Sequence, residues 1–91
     1  MKILTIEEQQ ALEKKLIIGA KIRLGKEFKE FCEWDGDDII TLVDGTFEYD
    51  NELYTEYQSS PAIWNEDDNE YDSIYHLFGN HFEHFFDCEI L

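Results

Sequence analysis

Beyond Lys29 the sequence contains no lysine and no arginine, although 62 residues remain and 18 of them are Asp or Glu. Pairing of these acids with a lysine or arginine of the same stretch is therefore excluded. The seven basic residues all lie in the first 29 positions, among four acids, and the whole chain carries a net charge of −15. Seven cations cannot neutralise eighteen anions, so carboxylates are left over to face water or a partner. A field of this sign repels DNA, RNA and anionic lipid and attracts basic surfaces, which excludes direct nucleic-acid binding as the natural reading. A single proline and five glycines leave no low-complexity linker. The two cysteines, Cys32 and Cys88, have no CxxC spacing and form no disulfide framework; they fit free thiols in a reducing compartment. No apolar run approaches the ~20 residues that cross a bilayer, and Glu7 and Glu8 interrupt the amino-terminal segment before a signal peptide could form. The expected location is the cytoplasm. Catalysis is not expected either: there is no glycine-rich phosphate loop and no nucleophile motif, and paired carboxylates carry no information at this density.

What is present is apolar residue content of 43%, with seven Phe, five Tyr and two Trp, enough for one small core in a single domain spanning residues 1–91. Thr5-Ile6-Glu7-Glu8 reads as a capping box that starts a helix at Ile6, with Ile6, Leu12 and Leu16 along one side and Gly19 as its stop. From Ala20 the period changes to two, which predicts a half-buried strand. Lys26 to Trp34 suits either period; its aromatics and the following Asp35-Gly36 favour a strand. Asp35-Gly36, Asp44-Gly45 and Asp50-Asn51 read as turns between short β-branched and aromatic runs. An antiparallel meander of four to five strands over Ala20 to Tyr57 follows, ended by Ser59-Ser60-Pro61. Ala62-Ile63-Trp64 reads as a buried anchor, and a helix through Tyr71 to Phe78, capped from Asp67 or Asp68, as the next element. The tail from His81 to Leu91 reads as a second short helix or a returning edge strand. The expected fold class is α+β: an N-terminal helix, the meander and C-terminal short helices.

Acids recur at every second position in Glu33-x-Asp35-x-Asp37, Glu48-x-Asp50-x-Glu52 and Glu66-x-Asp68-x-Glu70-x-Asp72. On a strand such residues share a face about 6.6 Å apart, roughly twice the ~3.4 Å per-strand rise of DNA, so a row of carboxylates can stand in for phosphates. Tyrosines interspersed with the acids supply interface anchors that charge alone does not. The partner-binding set expected on these grounds is Glu48, Tyr49, Asp50, Glu52, Tyr54 and Glu56 from the meander with Glu66, Asp67, Asp68, Glu70 and Asp72 from the later loop. Core packing is the plain expectation for Trp34 and Trp64.

In size, charge and the stretch without cations from Glu30 to Leu91, the chain resembles small acidic phage-encoded proteins that imitate DNA, such as anti-CRISPR, anti-restriction and glycosylase-inhibitor proteins. That resemblance implies a non-catalytic inhibitor, without a cofactor, that blocks the basic groove of a nucleic-acid-binding protein: a nuclease or nuclease complex of host defence, met in the host cytoplasm. It implies no particular fold and no functional residue by position. The chain also looks like the acidic antitoxin or immunity proteins that neutralise a basic nuclease toxin, and a homodimer is compatible with either reading. A third alternative is a metal-binding structural or regulatory protein: His81, His84 and Cys88 would share one face if the tail were helical. The phenylalanines around them explain the segment equally well as core. Calcium fits poorly, because Ser73 stands where the loop of an EF-hand needs glycine.

Overall fold

The computed structural model describes residues 4–50 and 52–91, the Tyr49 side chain excepted. Helix α1, Ile6–Lys15, begins as its sequence dictates: the Thr5 hydroxyl accepts from the Glu8 N–H and the Glu8 carboxylate accepts from the Thr5 N–H. It ends at Lys15, with Leu16 as its cap, and Gly19 lies beyond the stop, in a turn at φ +92°. None of its own residues is buried, and Ile6 is 71% exposed; the helix is anchored by half-buried Leu12 and by Leu16 just past its end.

Strand β1, Lys21–Arg23, is followed by helix α2, Lys26–Phe31, and strand β2, Ile39–Thr41. The strand expected over Lys26 to Trp34 is thus a helix with Phe28 on its inner side, and Asp35-Gly36 joins that helix to β2 instead of closing a hairpin. The remaining elements are strand β3, Val43–Asp50; strand β4, Thr55–Asn65; strand β5, Glu70–Ser73; helix α3, Ile74–Phe78; and strand β6, Glu89–Ile90. The α+β class stands, but the strands fall into two antiparallel sheets, β2-β1-β6 and β3-β4-β5. Only the second is a meander, and it lies later in the chain than expected.

Two turn signals are overridden by pairing. Asp44-Gly45 lies inside β3, opposite Pro61 and Ser60, and Ser59-Ser60-Pro61 lies inside β4. A Cβ on Gly45 would stand 2.7 Å from the Ala62 Cβ and 3.1 Å from the Phe47 ring, so glycine is there to let the neighbouring side chain and ring close over the backbone. The Asp50-Asn51 turn falls partly outside the described residues, but the reversal itself occurs between Asp50 and Thr55. The helix expected over Tyr71 to Phe78 is a strand and then the five-residue α3, capped by the Ser73 hydroxyl and not by Asp67 or Asp68. The tail returns as an edge strand, β6, beside β1.

One apolar cluster joins both sheets and the helices: Leu16, Ile22, Leu24, Phe28, Ile40, Leu42, Ile63, Ile74, Phe78, Phe82 and Phe85. β4 contributes to it only near its end. From Thr46 to Ser59 the β3-β4 hairpin carries no buried residue among those described, so it projects from the body as an arm. The radius of gyration, 13.8 Å, exceeds the ~12 Å of a compact chain of this length, and the longest dimension is 42 Å. Among the described residues no helix is long and apolar enough to cross a membrane.

Candidate partner-binding surface

Strand β4 sets the geometry of the acidic residues. Its amino end is reached through the 51–54 connection from β3, and its carboxyl end passes through residues 66–69 into β5. Eleven residues at ~3.3 Å each place these two connections about 33 Å apart along the strand. The expected partner-binding set is therefore split between two ends. Glu48, Asp50, Glu52, Tyr54 and Glu56 lie on the arm, whereas Glu66, Asp67, Asp68, Glu70 and Asp72 lie at the β4-β5 hairpin.

On the arm, directly opposed residues share a face, so Asp44, Thr46, Glu48 and Asp50 of β3 stand beside Thr55, Tyr57 and Ser59 of β4. Glu48 is opposite Tyr57, which is 66% exposed, and the Thr55 hydroxyl donates to Asp50 at 3.0 Å. Glu56 belongs to the other face, opposite Tyr49, whose side chain lies outside the described residues. Tyr54 is exposed in the connection. The arm's acids do not form one row: Glu48 and Asp50 do, and Glu56 looks away from them.

At the other end the structure brings together two acidic runs that are distant in sequence. Glu33, Asp35 and Asp37, from the connection between α2 and β2, and Glu66, Asp67 and Asp72, from the β4-β5 hairpin, line one open cleft of about 670 Å³. Trp34 and Trp64 line it too, and among the described residues no Lys or Arg does. Asn65 orders the hairpin wall. Its amide nitrogen donates to Asp68 and Asp72 at 3.3 and 3.0 Å, and its amide oxygen accepts from the N–H groups of Asp67 and Asp68. The Trp34 indole donates to the Asp37 carbonyl at 2.9 Å, which fixes the opposite wall. Trp64 departs from the expected core position: it is 46% exposed and packs edge-on against Tyr71, its directly opposed partner in β5. Glu33, Asp35, Asp37 and the outward face of Trp64 were not part of the expected set. The alternation of Glu33, Asp35 and Asp37 was visible in the sequence, but their meeting with the later run depends on the fold bringing the α2–β2 connection beside the β4-β5 hairpin.

Cations reach few of these acids. Among the described residues two ion pairs form, Lys29 with Asp38 at 2.7 Å and Arg23 with Glu89 at 3.4 Å, and neither touches the arm or the cleft. Hydrogen bonding to the Lys29 ammonium, reinforced by its charge, holds the Asp38 carboxyl below its usual range. Glu83 is also held low, first by its own N–H and that of His81, and secondarily by the charges of His84 and His81.

Comparison with protein families, with curated proteins and with solved structures finds no match.

The tail does not provide the helical face on which a His81, His84, Cys88 site depends. Residues 81–88 run as successive turns, with Phe82 at φ +55° and buried. His84 stacks on Phe31, ring centroids 4.7 Å apart, and the described residues hold no group of three His, Cys, Asp or Glu side chains arranged to take a metal ion. Burial pushes the Cys88 thiol up to about 11, an effect that the Asp87 charge reinforces, so in the free chain it stays a thiol at neutral pH.

Proposed function

We propose that this chain is a non-catalytic binding protein that occupies the nucleic-acid groove of a basic protein by offering carboxylates in place of phosphates. The observation that carries this reading is the placing of two acidic groups, the arm and the cleft, toward the two ends of one strand whose connecting turns lie about 33 Å apart, with no Lys or Arg of the described residues in either. That distance is close to one turn of duplex, ~34 to 36 Å, so a groove shaped for DNA meets negative charge at both ends of the span. Exposed Tyr54, Tyr57 and Trp64 stand beside these acids and supply contacts that salt does not screen. By its resemblance to phage-encoded DNA mimics, the target class is a nuclease of host defence.

The test is capture of binding proteins from a host lysate, followed by competition on the purified target. Duplex DNA and the chain should exclude one another, and affinity should fall about tenfold or more between 50 and 200 mM salt, because the contacts are largely exposed charge pairs. A target whose binding ignores both DNA and salt sinks the reading.

A further inference from the structure

A strand at the border of a sheet leaves every second N–H and C=O without a partner, and natural proteins guard such borders with short strands, charged side chains (lysine above all), proline or bulges. The borders β2, β5 and β6 have three, four and two residues. β3 is different. It has eight residues, contains neither lysine nor proline, and pairs with β4 on one side in unbroken register from Val43 to Asp50. No other strand of the described residues lies on its second side.

Its side chains divide by face. Asp44, Glu48 and Asp50 share one face with Thr46, and Val43, Gly45 and Phe47 share the other. A strand laid along the free side would set its own side chains ~4.5 to 5.5 Å from these. A second copy of β3 would bring Asp and Glu against Asp and Glu, which disfavours self-pairing. A segment with Lys or Arg at every second position and aliphatic residues between would meet carboxylates on one face and apolar surface on the other.

We propose that the free side of β3 takes an extended basic segment of the partner protein as an added strand, its cations facing Asp44, Glu48 and Asp50. This rests on the reading above, that the partner is a basic protein, and adds how part of it is held: backbone hydrogen bonds give the affinity and alternate side chains the selectivity. Because the arm projects from the body, a strand can approach the side of β3 from Thr46 to Asp50 without displacing the core, and its end reaches Asp44 where β3 enters the body.

The experiment uses the whole chain, labelled with nitrogen-15, and three capped peptides of eight residues, the length of β3. One alternates lysine and valine, one has the same composition with lysines and valines in two blocks, and one is the alternating peptide N-methylated at every second residue. The alternating peptide should bind about tenfold or more tightly than either control, since the controls lose register or several hydrogen bonds, and it should slow amide exchange within Val43 to Asp50. The triple variant Asp44→Lys, Glu48→Lys, Asp50→Lys, shown to be folded by its aromatic circular dichroism, should lose that preference. Equal binding of all three peptides overturns the proposal, as does protection confined to residues 66–73, or a dimer paired through β3 in sedimentation of the free chain. Peptide equivalence with DNA-competed target binding intact defeats the added strand alone; a target indifferent to DNA and salt defeats the phosphate reading and leaves the peptide result standing.

Discussion

At the scale of single residues, a carboxylate near the end of the chain holds together a helix near its beginning. α2 has glycine at its N-cap, which offers no side chain to the first free N–H groups. Asp87 supplies the missing acceptors: its two oxygens accept from the Glu27 and Phe28 N–H groups at 2.7 and 3.0 Å. Gly25 is required for that approach, since a Cβ there would stand 2.1 Å from the Asp87 carboxyl carbon. Asp87→Ala should therefore lower stability by about 1 to 2 kcal/mol, as other lost caps do, and Gly25→Ala should do the same by expelling the carboxylate. Urea denaturation measures both, and an unchanged midpoint for Asp87→Ala removes the cap from the account. The neighbouring Cys88 gives a second prediction. With its thiol pushed to about 11 by burial, alkylation at pH 8 should run on the order of a hundredfold slower in the native chain than in the denatured one. Mass spectrometry of iodoacetamide-treated protein reads this directly; comparable native and denatured rates contradict it.

At the scale of elements, the sequence was legible where an element's determinants lie within it. Thr5 and Glu8 cap α1 from three residues apart, and their reading stands. α2 was misread because its determinant, Asp87, is 60 residues away from Glu27, and the local pattern of Phe28, Glu30, Cys32 and Trp34 also fits a strand. Asp44-Gly45 was misread for a related reason: the tight turn that Asp-Gly favours competes with an eight-residue pairing and with Ala62 and Phe47 closing over Gly45, and the pairing wins. The candidate surface was half legible. Which acids exist, and that no cation stands near them in the chain, follows from the order of residues, but their division into an arm and a cleft follows from the length of β4. That division makes a third prediction, on the purified target. Glu48→Lys with Asp50→Lys at the arm, and Glu66→Lys with Asp67→Lys at the cleft, should each weaken binding, and the two losses should add within about 0.5 kcal/mol because the sites share no partner. If either pair has no effect, only one end meets the target and the one-turn spacing has no role.

At the scale of the whole molecule, repulsion sets the conditions under which the fold is most stable. A net charge of −15 on 91 residues, with two ion pairs among those described, works against compactness, and the exposed positions of the acids let salt relieve much of it. Melting temperature at pH 7 should therefore rise as sodium chloride goes from about 10 mM, where the screening length is ~30 Å, to about 1 M, where it is ~3 Å. Asp38 and Glu83 act in the opposite direction at low pH. Both are held below their usual values, 3.8 and 4.5, so each contributes stability that is present above those values and lost as pH falls through the lower, folded ones. Acidification towards the isoelectric point of about 4.2 meanwhile removes net charge, and with it the repulsion that salt screens. The gain from salt should accordingly be largest at pH 7 and shrink towards pH 4.5, and below that range stability should fall at every salt concentration as the two carboxylates are protonated. Thermal melts on a grid of pH and salt measure all three features. A melting temperature at pH 7 that does not move with salt would mean that the exposed carboxylates exert no net repulsion, leaving the free energy available to a cationic partner without its electrostatic source.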